Sequence, residues 1–225
     1  MLIKHLKSRI DSIFQGESEI IKEYSKRGYW VPNEVCEKSI FFMGLNPSYP
    51  HKNYEVTDRI FYDISEQDDH YFRQLKKLYE DISEKDNNKG WTHLDLLMIR
   101  ETKQSEVKKL LKSQVGKEFI IENIKISKDI LEKSNPKIVV VLNTLTRDLI
   151  NKTLLGEFGY NFKWDKNIGT YRFGEETTLY GTPVFFSGML SGQRALDKGS
   201  RERLAWHINY VLKYESGKFG KLKVQ

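Results

Sequence analysis

The sequence predicts an α/β fold, a three-layer α/β/α sandwich around a mostly parallel, four-stranded central sheet. Three observations carry this expectation. Short apolar runs at Ile40–Met43, Trp91–Arg100, Ile138–Leu142 and Pro183–Ser187 have strand length and are bounded by turn residues. Stretches with helical spacing separate them, as crossover helices between parallel strands require. The run Ile138–Leu142 is continuous and mostly β-branched, the pattern of a central strand covered on both faces.

Taken in order, Leu6, Ile10, Ile13, Phe14, Ile20, Ile21 and Tyr24 recur at helical spacing with charges between them, so residues 1–29 read as an N-terminal helical segment broken near Gly16. Gly28 and Pro32 then precede the first strand. Between Asp68 and Lys85, Tyr71, Phe72, Leu75, Leu78, Tyr79 and Ile82 form the clearest amphipathic stripe in the chain. The strand "WTHLDLLMIR" follows a polar turn, and Ser105–Lys133 reads as helix with a break near Gly116. After the central strand, Asn143 or Thr144 can cap a helix through Leu149, Ile150 and Leu154. Residues 156–181, rich in Gly, Tyr and Phe, read as a loop or irregular hairpin. A last helix starts near Ser200 and buries Leu204, Ile208 and Val211, and residues 215–225 form a basic tail.

At 225 residues the chain fits one domain, residues 1–225. The formal net charge of +6 favours a polyanionic partner. The single Cys36 excludes an intramolecular disulfide and any metal site built from several cysteines, which fits a reducing compartment. "MLIKHLKSRI" interleaves charges with apolar residues and lacks a signal-peptide core, and no window approaches the roughly 18 apolar residues of a membrane span. The expectation is a cytoplasmic monomer without membrane contact, metal or cofactor.

In a parallel α/β sheet, ligands bind beyond the carboxyl ends of the strands. The loops to watch therefore follow Met43, Ile99, Leu142 and Phe186. The first reads "SIFFMGLNPSYP". It lacks the Gly-Lys-Ser/Thr of a phosphate-binding loop, and no Gly-x-Gly-x-x-Gly follows any strand, so the two common nucleotide fingerprints are missing. What remains is Gly44 for close backbone approach, the amide of Asn46, and Pro47 fixing the turn.

"FFMGLNPSYP" resembles motif A of the uracil-DNA glycosylase superfamily, in the Gly-x-Asn-Pro form of its mismatch-specific and single-strand-selective branches. "DLLMIR" resembles a strand that ends Asn-x-x-x-x-Arg in relatives, and "NPKIVVVLNTLTRDLI" their third strand and following helix. "PVFFSGMLSGQRALDKGSRERL" supplies the fourth strand and an Asp-Lys-Gly similar to the single-strand-selective branch, but not the relatives' His-Pro-Ser. The resemblance covers roughly Trp30 to Tyr214 and implies base excision from DNA, with no cofactor. Asn46 would orient the attacking water, and Gly44, Leu45, Pro47 and Ser48 would frame the base. Phe61, preferred over Tyr62, would stack on it, and Asn143 would read its edge. Ser187, Ser191, Gln193 and Arg194 would contact DNA, with Lys198 at the phosphates. Gly188 stands near where relatives place His.

Other readings stay open. The missing His-Pro-Ser suits a glycosylase-fold protein that binds nucleic acid or a nucleobase without catalysis. His93 and Asp95 alternate onto one strand face and could do acid–base work or ligate metal in a nucleotide-metabolising enzyme, although a third ligand is not evident. His207 sits among Leu204, Ile208 and Val211 and reads as packing. Asp197, Arg201 and Arg203 fit solvated charge at a helix start as well as phosphate contact.

Overall fold

The computed structural model describes residues 1–49, 60–82, 90–152, 156, 159–192 and 195–217. Helix starts follow capping chemistry: Ser18, Asp69, Ser113, Asn143 and Asp197 each accept a first-turn backbone N–H on a side-chain oxygen. They open α2 (Glu19–Arg27), α3 (His70–Glu80), α5 (Gln114–Ser134), α6 (Thr144–Ile150) and α7 (Lys198–Glu215). Two further helices, α1 (Lys7–Ile13) and α4 (Gln104–Leu110), begin without such a cap.

The strands are β1 (Trp30–Pro32), β2 (Ile40–Gly44), β3 (Ile60–Tyr62), β4 (Trp91–Asp95), β5 (Ile138–Val141), β6 (Phe162–Asp165), β7 (Thr170–Phe173) and β8 (Pro183–Phe186). A six-stranded sheet has the order β4-β2-β5-β8-β7-β6, and β1 and β3 form a separate parallel pair. Its first four strands run parallel, and β7 and β6 add an antiparallel edge. The register sets Gly44 beside Asp95, Phe42 beside His93 and Met43 beside Val141.

Side-chain alternation splits the interior into two cores. Phe41, Met43, Val139, Val141 and Val184 face one way, into a core completed by residues such as Ile10, Tyr24, Val107 and Phe119 from α1, α2, α4 and α5. Ile40, Phe42, Ile138, Val140 and Phe185 face the other, against Leu75 and Leu78 of α3 and Ile208 and Val211 of α7. Helices on both faces are thus required by strands that are apolar on both sides. No helix among the described residues is long and apolar enough to cross a membrane.

Several expectations need correction. The sheet has six strands and not four, because residues 156–181 contain the β6–β7 hairpin. Its strand signal is masked by exposed Lys163 and Trp164 and by Arg172, which bonds Asp165 within the hairpin and Glu215 on α7. The strand read over Trp91–Arg100 ends at Asp95. Beyond it the chain stays buried but turns, with the Leu96 and Leu97 amides bonding to the carbonyls of Gly44 and Leu45 and the Met98 amide to Asn123 Oδ1. The helix break falls between Leu110 and Gln114, where Ser113 caps α5, rather than at Gly116 itself. The short strands β1 and β3 were not legible. Residues 218–225 of the basic tail lie outside the described residues.

Gly116 is instead the point where α5 crosses the end of α4: a Cβ there would lie 2.1 Å from the Leu110 carbonyl oxygen. Backbone cannot swing aside as a side chain can. We expect Gly116→Ala to destabilise the fold by about 1–3 kcal/mol despite its better helix propensity, read as a lower urea midpoint; an unchanged or higher midpoint contradicts this packing.

Candidate functional site

A cavity of about 410 Å³ opens beyond the carboxyl ends of β4, β2 and β5. Its rim starts with the turn after β2. Asn46 is locked there: its Nδ2 donates to the Pro47 carbonyl at 2.9 Å and to the Glu101 carbonyl at 2.6 Å. Both amide protons are thereby committed to backbone, so the amide oxygen is the polar atom left for a ligand or a water. The Glu101 amide bonds the Pro47 carbonyl at 2.9 Å, and Thr102 Oγ1 bonds Tyr49 through both its amide and its carbonyl, at 3.0 and 2.5 Å. Two loops remote in sequence are laced into one rim.

Glu101 anchors that rim from below. Its side chain is buried, with Arg27 Nη1 at 2.5 Å from one carboxylate oxygen and the Lys103 amide at 2.9 Å from the other. Burial alone would raise this carboxyl, but the Lys103 amide and the Arg27 guanidinium outweigh it and hold it below its ordinary value. Arg27 in turn bonds Glu23 and lies over the rings of Tyr24 and Tyr49. Arg100 lies over Trp30 and Tyr49.

The walls are aromatic. Trp30, Tyr62, Tyr71 and Phe72 line the cavity, with Trp30 and Tyr62 5.6 Å apart between ring centres. The floor is polar and buried. His93 on β4 touches the Tyr71 hydroxyl through Nε2 at 2.9 Å and the Tyr62 hydroxyl through Nδ1 at 3.3 Å. Asp95, two residues on and so on the same strand face, has Oδ1 3.7 Å from His93 Nε2, outside hydrogen-bond range. A Cβ on Gly44 would lie 2.0 Å from this Oδ1, 3.0 Å from the Tyr71 hydroxyl and 3.1 Å from His93 Nε2. Only glycine lets β2 pass over the cluster.

Burial in this floor opposes charge on every member. It holds His93 down at about 3, pushes Asp95 up to about 7, and raises the Tyr62 and Tyr71 hydroxyls well above their ordinary range, with the Asp95 charge adding to both tyrosines. His93 is therefore the neutral imidazole at physiological pH, a hydrogen-bonding spacer between two tyrosines.

Of the residues expected in a site, Gly44, Leu45, Asn46, Pro47, Ser48, Tyr62, Asn143 and Ser191 line the cavity. Phe61 does not. Strand alternation sends it to the opposite side of β3 from Tyr62, where it meets Tyr29 edge-to-face at 5.7 Å. Ser187 is not a lining residue; its amide extends the β8–β5 ladder to the Val141 carbonyl. Lys198 is exposed at the start of α7, 3.7 Å from Glu202, and is likewise not in the cavity. Gln193 and Arg194 lie outside the described residues. Asn143 Oδ1 accepts from the Leu145 amide at 2.8 Å as the cap of α6, which leaves its two amide protons and one lone pair of Oδ1 for a ligand. Among the described residues no three His, Cys, Asp or Glu side chains cluster as a metal site requires. His207 donates from Nε2 to the Ile168 carbonyl and packs edge-on against Phe185.

Sequence reasoning missed Trp30, Asp69, Tyr71, Phe72, Arg100 and Glu101 as cavity residues. Tyr71 and Phe72 belong to the apolar stripe of α3 and carry no mark that separates a cavity wall from core. The His-x-Asp alternation of His93 and Asp95 was the available signal for the floor.

The two buried groups pull stability in opposite directions with pH. The Asp95 carboxyl titrates at 3.8 when exposed and at about 7 when folded, so the folded state loses stability as pH rises through that window. His93, at 6.5 exposed and about 3 folded, makes stability rise between those values. They nearly cancel in the native protein. We expect Asp95→Asn to gain on wild type as pH rises from 4 to 7, by up to about 1.4 kcal/mol per pH unit, measured by urea unfolding; a difference that does not change with pH contradicts the buried neutral carboxyl.

No family model and no curated protein matches this chain.

Proposed function

We propose that the cavity receives a nucleobase swung out of DNA, and that the protein is DNA glycosylase-like, hydrolysing the N-glycosidic bond of uracil or another damaged or mismatched base. One observation carries this reading. The Gly44–Ser48 turn, Tyr62, Asn143 and Ser191, which the resemblance nominates from four separate segments, line a single cavity with an aromatic wall. Its volume of about 410 Å³ falls within the range of small-molecule sites, roughly 300–1,000 Å³.

In this reading a base slides between Trp30, Tyr62 and Phe72, and stacking on these faces offsets part of the unstacking energy. The Asn46 amide oxygen orients a water toward the anomeric carbon as the sugar gains oxocarbenium character. An amide positions that water but cannot take its proton, so the reaction depends on stabilising the departing base. The remaining Asn143 amide protons and the Ser191 hydroxyl are donors available for that charge. The net charge of +6 suits a polyanionic strand.

A second reading has specific support: Asn46 is not a base, and Gly188 stands where relatives place a His donor. In that case the cavity binds a nucleobase or nucleic acid without cleavage. The test is base release from single- and double-stranded oligonucleotides bearing uracil, hypoxanthine or a G·T mismatch. We expect release from at least one of them and a loss of about 100-fold or more in Asn46→Ala, the scale of removing one transition-state contact. Binding without release by the wild-type protein would move the assignment to the non-catalytic reading, and release undiminished in the variant would remove Asn46 from the site.

A further inference from the structure

We propose that the exposed aromatic face of α7 is a stacking track for single-stranded DNA leading away from the cavity, with Trp206 as its principal contact. This rests on the cavity receiving a base from a DNA strand and is independent of whether that base is cleaved.

Trp206 is 67% exposed, the most exposed large apolar side chain among the described residues. A tryptophan so placed contributes little to the core, and a large apolar surface kept in water is the informative exception in a folded protein. Its setting is ordered. Tyr210, one turn on, lies nearly parallel to it, with ring centres 5.8 Å apart and planes 20° apart. The Tyr210 hydroxyl donates to the Asn167 carbonyl at 3.1 Å and His207 to the Ile168 carbonyl at 2.7 Å, so the β6–β7 turn braces this stretch of the helix from one side. Tyr214, at 40% exposure, continues the stripe another turn on. Parallel planes held on a rigid helix are a geometry onto which a base stacks, and the open face of Trp206 is where the next plane fits.

The charge around this face fits a phosphate backbone. Arg203 and Lys213 share the face with Trp206 by helical spacing, and exposed Lys166 precedes Asn167 on the bracing turn. The nearby carboxylates are engaged: Asp197 bonds Ser200, Glu202 lies 3.7 Å from Lys198, and Glu215 bonds Arg172. A second copy laid on this helix about a two-fold axis would bring these cations together, whereas a DNA strand sets phosphates between them.

The track also begins where the cavity ends. The segment joining β8 to α7 supplies Met189 and Ser191 to the cavity lining, and α7 starts at Lys198. Trp206 therefore lies about 12 Å along the helix from its start, on the path of a strand whose base occupies the cavity. Stacking on an aromatic face tolerates any sequence but needs bases that are not already stacked in a duplex, so the track assigns the site a single-stranded partner. A second exposed tryptophan supplies a control. Trp164 is 59% exposed, but on β6 it alternates with Asp165, whose partner Arg172 reaches Glu215 on α7. Trp164 thus points to the opposite face of the sheet, where it meets Tyr171 at 77° rather than in parallel.

Fluorescence anisotropy of labelled oligonucleotides of about 16 residues with the whole protein tests this, using an undamaged single strand, its duplex, and a single strand of the same length lacking bases. Trp206→Ala should weaken single-strand binding about tenfold, the weight of one stacked base, and Trp206→Phe should keep most of the wild-type affinity. The Ala variant should bind the duplex and the abasic strand within about twofold of wild type, since neither offers an unstacked base and the phosphate contacts remain. Trp164→Ala, with a similarly exposed ring removed, should bind the single strand as wild type does. Unchanged single-strand binding in Trp206→Ala, an equal loss for the duplex or the abasic strand, an equal loss in Trp164→Ala, or no binding of single strands by the wild-type protein would each overturn the proposal. Base release measured on uracil-bearing strands separates it from the reading it rests on. Trp206-dependent binding without release sustains the track and rejects only catalysis, whereas release with binding untouched in Trp206→Ala rejects the track alone.

Discussion

The site depends on a close approach between two neighbouring strands. Gly44 ends β2 directly beside Asp95 at the end of β4, and a side chain at position 44 would need the volume that the Asp95 carboxyl, the Tyr71 hydroxyl and the His93 ring already fill. A shift of β2 by one residue would exchange Phe41 and Met43 with Ile40 and Phe42 between two closely packed cores, and that misfit holds the juxtaposition in place. The cavity floor is a consequence of sheet register as much as of the residues in it.

Above that floor, stability and chemistry are arranged in separate shells. The rim is tied by backbone-directed bonds from Asn46 and Thr102 and by the buried Arg27–Glu101 pair, all of which are satisfied. The floor is different. His93, Tyr62 and Tyr71 satisfy one another, while among the described residues no side chain or backbone group hydrogen-bonds the Asp95 carboxyl. Polar groups that remain incompletely bonded at the bottom of a cavity are a common mark of function, since a structural role alone would be better served by apolar packing.

Much of this was legible in the sequence, and the limits have physical causes. The runs at Ile40–Met43 and Ile138–Leu142 announce buried parallel strands because both faces must be apolar, and the Gly-Leu-Asn-Pro turn announces the strand end where the cavity forms. The β6–β7 hairpin was hidden because an edge hairpin can carry Lys163, Trp164 and Arg172 on exposed or bridging positions and still pair. Choosing Phe61 over Tyr62 failed for a similar reason: in a three-residue strand the alternation has too few positions to show which face is inward. Trp30 and Phe72 were invisible as cavity residues, because a wall of a cavity and a wall of a core have the same composition.

Whatever ligand the cavity takes, the character of its floor turns on a single ionisation, that of the largely buried Asp95 carboxyl at the end of β4. Carbon-13 NMR of the Asp95 carboxyl carbon across pH measures it directly in the folded protein. The account predicts a midpoint near 7; a midpoint near the ordinary 3.8 would mean that the carboxyl is solvated or paired and would contradict the floor described above.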